Sequence, residues 1–101
     1  MKAVDILALV PAGTGPVEVI GEGAFADDLR ERLGDRGAPG PGKRPCAIID
    51  TVGEATALAA ALKDVDDLGT IILAGPAPAG PVSIDLYSDL HVRGLTIICA
   101  P

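Results

Sequence analysis

The stretch that decides the fold is residues 16–33, PVEVIGEGAFADDLRERL. Val17 to Ile20 is an apolar run of strand length, and a tight turn from Gly21 to Gly23 follows it. The next residues carry an apolar stripe at helical spacing, made of Phe25, Ala26, Leu29 and Leu33. A strand, a glycine turn and a helix in this order are typical of the nucleotide-binding half-unit of an α/β domain.

Within this stretch, Gly21, Gly23 and Ala26 fit the G-x-G-x-x-A pattern. The first glycine permits the turn, the second lets a pyrophosphate approach the backbone, and the small third residue lets the helix pack on the strand. These three residues are therefore cofactor-binding candidates. The alternative is a turn that binds nothing, because Asp27 and Asp28 lie in the first helical turns and satisfy the helix dipole themselves.

Composition narrows the classes of protein to consider. Hydrophobic residues make up 49% of the 101 residues and aromatic residues only 2%, which favours one α/β domain with an aliphatic core. No apolar run approaches the roughly 20 residues of a membrane span, and no signal peptide is recognisable, so we expect a cytoplasmic protein. A net charge of −6 with one Tyr and one Phe argues against nucleic acid as a partner.

The rest of the chain alternates strands and helices. Three further apolar runs have the length of buried strands: Cys46 to Asp50, Thr70 to Ala74 and Leu95 to Cys99. Helical spacing recurs in three segments: Met1 to Val10, Glu54 to Lys63 and Leu86 to Val92. Glycine and proline in residues 34–45 predict a flexible loop without regular structure. The order predicts a single domain with about four parallel strands and helices on both faces of the sheet.

Few side chains suggest catalysis. Cys46 and Cys99 are predicted to be buried small hydrophobes at opposite ends of the sheet, too far apart for a disulfide. His91 is the only histidine and is expected to be a surface or helix-packing residue. Tyr87 and Ser88 have no identifiable base beside them. We therefore predict no catalytic residue and no metal site.

Three blocks resemble the cofactor domain of the medium-chain dehydrogenase/reductase family, the group that contains the zinc alcohol dehydrogenases. They are VEVIGEGAFADDLRERL at 17–33, AIIDTVGEATALAAALKDVDDLGTIILAGPA at 47–77 and PVSIDLYSDLHVRGLTII at 81–98. The resemblance implies a truncated Rossmann-like, three-layer domain built from family strands 1, 4, 5 and 6. It also implies that Gly53 and Gly75, with their neighbours Thr51, Val52, Ala74 and Pro76, follow strand ends that border the nicotinamide.

The departures from the family are as informative as the matches. Residues 34–45 replace the family's second and third strands, and with them the residue that reads the adenosine ribose. The N-terminal catalytic domain and its zinc ligands have no counterpart, since one His and two Cys are too few for the family's zinc sites. The resemblance thus implies a dehydrogenase-like pseudoenzyme with no bound cofactor, NAD(P) being the alternative.

The missing strands also affect the edge of the sheet. In the strand order 3-2-1-4-5-6, loss of strands 2 and 3 leaves Val17 to Ile20 at an edge. Because an apolar edge strand has unpaired backbone groups, Val17, Val19 and Ile20 are predicted to form a partner-binding edge, through a homodimer or a docked protein. The alternative is that the N-terminal segment or the 34–45 loop folds over this edge.

Two functions follow as expectations. The first is a non-catalytic binding module for a peptide or a partner enzyme, similar to accessory or recognition proteins of ribosomal-peptide tailoring pathways. The alternative is an NAD(P)-binding subunit of an oxidoreductase whose catalytic domain is on another chain, with Lys43 or Arg44 reading a 2′-phosphate. With Arg36, these residues also form a small basic spot for an acidic partner.

Overall fold

The computed structural model describes residues 3–12, 15–37, 42, 44–75 and 83–100. The described strands are β1 (Val17–Ile20), β2 (Ala47–Asp50), β3 (Thr70–Leu73) and β4 (Thr96–Cys99). The α-helices are α1 (Ala3–Leu7), α2 (Ala24–Leu33) and α3 (Ala55–Asp64), and a π-helix spans Leu86–His91. A 3-10 turn at Gly34–Gly37 follows α2 directly.

The four strands form one sheet in the order β1-β2-β3-β4, and every pair is parallel. Each strand therefore pairs with the next strand along the chain after a crossover, as an α/β domain requires. The register aligns Ile20, Asp50, Leu73 and Cys99 at the carboxyl end of the sheet. The prediction of a parallel, Rossmann-like α/β fold with helices and about four strands is confirmed, and β1 lies at an edge.

Each face of the sheet carries its own hydrophobic cluster. Helices α1 and α2 supply Ile6 and Leu29 to one face, where they pack with Val17, Val19 and Ile49. On the other face α3 supplies Leu58 and Leu62, which pack with Ile48 and Ile71. Alternation of side chains along β2 and β3 supplies both clusters, which is why these central strands lack polar alternation.

The prediction that residues 34–45 lack regular structure is wrong at its start. Gly34 adopts a positive φ of 57°, and its N–H donates to the carbonyls of Arg30 and Glu31. A last turn tightened in this way satisfies carbonyls that the helix end leaves unpaired, and it continues into the 3-10 turn. Residues 38–41 and 43 of the predicted loop lie outside the described residues.

The cysteine prediction is only partly correct. Both thiols are free and lie at opposite ends of the sheet, as predicted. Cys46 is half-buried, however, and Cys99 is exposed instead of buried. The reason is that Cys99 ends β4, an edge strand with a neighbour on one side only.

The segment predicted as a helix from Leu86 to Val92 is a π-helix. The N–H of Val92 donates to Tyr87 O, and the N–H of Leu95 donates to Leu90 O. Both bonds join residues five apart, which defines the π geometry. None of the described helices is long and apolar enough to cross a membrane.

Candidate functional site

The glycine turn lies at the carboxyl end of β1, where ligands of open parallel sheets bind. Gly21 has a φ of 120°, and a Cβ at this position would lie 2.0 Å from Thr51 Oγ1. That hydroxyl donates to Ile20 O at 2.7 Å and so ties the end of β1 to the residue after β2. Close packing therefore requires glycine here, whether or not a ligand binds.

The second glycine of the turn faces open space. Gly23 has a φ of 111°, and a Cβ here would meet no atom of the described residues within 4 Å. Helix α2 begins at the next residue, and no side chain caps its N-terminus. Ala26 is buried against the sheet, while Asp27 in the first turn is exposed. The turn thus leaves room for a phosphate beside backbone N–H groups, with a carboxylate close by.

Sequence-predicted residues after β2 and β3 lie at the same end of the sheet. The N–H groups of Ala74 and Gly75 donate to Asp50 O at 2.9 and 3.1 Å. A Cβ on Gly75 would lie 2.5 Å from Thr51 O, so these two turns pack against each other. Gly53 has a φ of 77°. Gly21, Gly53 and Gly75 are therefore brought to one end, whereas Pro76 lies outside the described residues.

Asp50 is a residue of this region that sequence reasoning missed. It is 1% exposed at the carboxyl end of β2, between Ile20 and Leu73 in the register. Its Oδ1 accepts the N–H groups of Val52 and Gly53 at 2.8 and 3.3 Å, and its Oδ2 has no hydrogen-bond partner among the described residues. The signal for it was an acidic residue that ends an otherwise apolar strand.

The basic residues considered for a 2′-phosphate lie elsewhere. Arg44 precedes β2 at the amino end of the sheet and donates to the carbonyls of Lys63 and Val65 at 2.5 and 2.8 Å. Arg36 donates to Gly15 O at 2.8 Å, also at the amino end. The length of the strands, about 13 Å for four residues, separates both from the glycine turn. Lys43 lies outside the described residues, and neither Arg36 nor Arg44 lies where it could read a 2′-phosphate beside the glycine turn.

The outer edge of β1 is partly occupied. Pro16 O and Ile20 O point toward β2, where they accept the N–H groups of Cys46 and Thr51. Because the backbone groups of successive strand residues point to opposite sides, the N–H and C=O of Val19 point away from β2. The Nη2 of Arg30 donates to Val19 O at 2.9 Å and to Gly21 O at 2.6 Å. The side chains of Val17 and Val19 are buried in the core. Any partner at this edge would therefore contact backbone, and it would meet Arg30 there.

The outer edge of β4 has no such cover among the described residues. Thr96 and Ala100 direct their N–H groups to Gly69 O and Leu73 O of the β3 side. By alternation, the backbone groups of Ile97 and Cys99 point away from the sheet. No described residue hydrogen-bonds these groups. The strand TIIC has neither a charge nor a proline, the two features that usually block an edge.

Exposed apolar side chains lie on the loop before β3 and on the π-helix segment before β4. Leu68, Tyr87 and Val92 are among the most exposed large hydrophobic residues described. The N–H of Leu68 donates to Arg93 O, which joins the loop before β3 to the residues after the π-helix. Tyr87 stacks on the exposed His91 with ring centroids 5.7 Å apart. We call Leu68, Tyr87 and Val92 the apolar patch.

The π-helix begins at an acidic cap. The Oδ1 of Asp85 accepts the N–H groups of Tyr87 and Ser88 at 3.0 and 3.1 Å. The Ser88 N–H and hydroxyl, followed by the Tyr87 N–H, lower the pKa of Asp85 from its ordinary value of 3.8. Among the described residues, no three His, Cys, Asp or Glu side chains are grouped closely enough to hold a metal ion.

Comparison of the chain with protein-family models and with curated proteins finds no match in either. The resemblance to the medium-chain dehydrogenase/reductase family stays a prediction that rests on the three sequence blocks. The two sheet edges and the glycine turn are therefore the features of the molecule that bear on its function.

Proposed function

We propose that this chain is a non-catalytic binding module that takes an extended segment of a partner protein or peptide as an added strand beside β4. The observation that carries the proposal is the pair of outward-facing backbone groups on Ile97 and Cys99, which no described residue hydrogen-bonds. Strand addition to such an edge provides main-chain hydrogen bonds, while alternate side chains provide specificity.

The chemistry around β4 indicates the kind of segment that fits. A net charge of −6 disfavours an acidic partner and attracts a basic one. The apolar patch favours apolar side chains in the bound segment. A precursor peptide of a ribosomal-peptide tailoring pathway, presented to its modifying enzymes, is the partner class favoured by the similarity to accessory proteins of such pathways.

The edge at β1 remains the other strand-addition site. Binding or homodimerisation through Val17, Val19 and Ile20 stays a prediction, and it requires the Arg30 guanidinium to leave the carbonyls of Val19 and Gly21. No described side chain has to leave the outward groups of β4. For this reason we place the proposed binding site at β4.

Selection from a displayed library of random decapeptides on the immobilised protein tests the proposal. Strand addition needs peptide N–H groups at alternate positions, so selected peptides should lack proline at every second position. They should also be poor in Asp and Glu. Enrichment without these two patterns would contradict binding at β4.

A pair of variants locates the bound peptide. Ile97→Pro removes an N–H that points away from the sheet, a change that edge strands tolerate. Ile97→Thr keeps this N–H and is the matched control. Selected peptides should bind Ile97→Thr and lose about tenfold in affinity for Ile97→Pro, since one main-chain hydrogen bond is lost and the proline ring obstructs the approaching strand. Circular dichroism must show both variants folded, and equal affinity for the two would overturn the assignment.

One observation favours the second candidate function, an NAD(P)-binding subunit. The open space above Gly23 and the uncapped start of α2 would admit a pyrophosphate. Calorimetric titration with NADH and NADPH tests it. Micromolar binding would support this subunit and redirect the search to a catalytic partner, whereas no binding up to millimolar cofactor would remove it.

A further inference from the structure

Arg30 occupies a special position on the outer edge of β1. Its side chain leaves α2 and reaches two carbonyl oxygens that face the same way, those of Val19 and Gly21. One nitrogen, Nη2, serves both oxygens, at 2.9 and 2.6 Å. These are acceptor positions that an incoming strand would use, because alternate residues of an edge strand present their N–H and C=O groups outward.

We propose that Arg30 is an edge guard, which closes β1 to strand addition by holding the outward carbonyls of Val19 and Gly21. A strand that paired here would have to displace the guanidinium or bury it without partners. Burial of an unpaired charge is strongly unfavourable, and so is loss of two charge-assisted hydrogen bonds. The guard therefore leaves β4 as the available edge and prevents the sheet from adding copies at both of its sides.

A neighbouring arginine provides a matched control. Arg32 lies on the same helix, is exposed, and forms an ion pair with Asp28 at 3.0 Å. No described contact joins it to β1. Arg30→Ala and Arg32→Ala change the net charge by the same amount, so any difference in association between them reflects the carbonyl contacts and not overall charge.

The purely structural alternative is that Arg30 only ties α2 to β1. In that case Arg30→Ala would lower stability without changing association. If Arg30 blocks the edge, Arg30→Ala should increase association of the folded protein. The reason is that the carbonyls of Val19 and Gly21 then become available to another strand. The experiment therefore measures association only on variants whose circular dichroism and thermal unfolding show a folded state.

Sedimentation equilibrium of wild type, Arg30→Ala and Arg32→Ala over a wide concentration range tests the guard. We expect Arg30→Ala to associate at a concentration at least about tenfold lower than Arg32→Ala, as the loss of two blocking contacts permits. Where wild type already pairs through β4, Arg30→Ala should form species larger than a dimer. Hydrogen exchange should show new protection of the Val17 and Val19 amides in the associated variant.

Equal masses for folded Arg30→Ala and Arg32→Ala would overturn the guard, and so would association without protection of the β1 amides. If Arg30→Ala does not fold, Arg30→Gln keeps a long polar side chain that places at most one amide donor group near the two carbonyls. Arg30→Gln should then associate at a lower concentration than Arg32→Ala, by a smaller factor than is expected for Arg30→Ala. None of these outcomes depends on whether a peptide binds at β4, so the two proposals fail independently.

Discussion

The Oδ1 atom of Asp50 accepts the backbone N–H of Val52 at 2.8 Å, and Asp50 is 1% exposed. The same oxygen also accepts the Gly53 N–H, so one side chain shapes the turn between β2 and α3. This turn carries Thr51, whose hydroxyl bonds to Ile20 O. Asp50 therefore organises the carboxyl end of the sheet, where the glycine turn lies.

Substitution of Asp50 should separate its hydrogen bonds from its charge. Asp50→Ala leaves the N–H groups of Val52 and Gly53 without an acceptor, and we expect a loss of about 1–3 kcal/mol in the free energy of unfolding. Asp50→Asn keeps an acceptor oxygen for these N–H groups, so it should be more stable than Asp50→Ala. Urea unfolding followed by circular dichroism measures both. Equal stability of the two variants would show that the acceptor oxygen alone does not stabilise this turn.

The cap at Asp85 predicts a pH dependence that is local to the π-helix. Because hydrogen bonds from Ser88 and Tyr87 lower its folded pKa below 3.8, the ionised carboxylate stabilises the folded segment. The stabilisation is complete above the unfolded pKa and is lost as the pH falls through the lower folded value. Amide resonances of Tyr87 and Ser88 should therefore shift below pH 3.8.

Asp85→Asn is the control for this titration. An Asn side chain also caps a helix but does not titrate, so the low-pH shifts of the Tyr87 and Ser88 amides should disappear. Retention of the same shifts in Asp85→Asn would mean that another group titrates. Tyr87 is the only tyrosine of the chain and lies within the π-helix, so its signals provide a second probe of the same titration.

Two arginines cap the carboxyl end of α3, and their contributions should differ. Arg93 donates to Leu62 O and Val65 O and pairs with Asp67, and its side chain is mostly buried. Arg44 donates to carbonyls of the same turn but is exposed. We expect Arg93→Ala to lower the unfolding free energy by about 2 kcal/mol and Arg44→Ala by less than about 1 kcal/mol. Thermal unfolding compares them, and Asp67→Asn isolates the exposed ion pair.

Sequence patterns predicted the elements of this fold better than its contacts. The four strands were predictable because continuous aliphatic runs such as AIID have few alternatives to a buried parallel strand. The roles of Arg30, Arg44 and Arg93 were not, because each donates to carbonyls at least nine residues away in sequence. An arginine that pairs with backbone leaves no pattern of side-chain types to recognise.

The candidate site was predictable to a similar extent. Gly21, Gly53 and Gly75 were expected at the carboxyl ends of strands, and the topology brings them there. The exposure of β4 was missed because LTIIC reads as a buried strand, although the order 3-2-1-4-5-6 already places the last strand at an edge. Edge position depends on strand order, which follows from tertiary packing and not from local periodicity.

Leu68 combines a strained backbone with an exposed side chain. Its φ is 65°, a region that leucine avoids, and the residue is 83% exposed. Glycine adopts this conformation freely, so Leu68→Gly should raise the unfolding free energy by up to about 1 kcal/mol. Leu68→Ala keeps the Cβ that causes the strain and should give no gain. Equal stability of the two variants, measured by urea unfolding, would show that the backbone is not strained here. If the apolar patch contacts the added strand, both variants should lose affinity for the peptides selected on the wild-type protein.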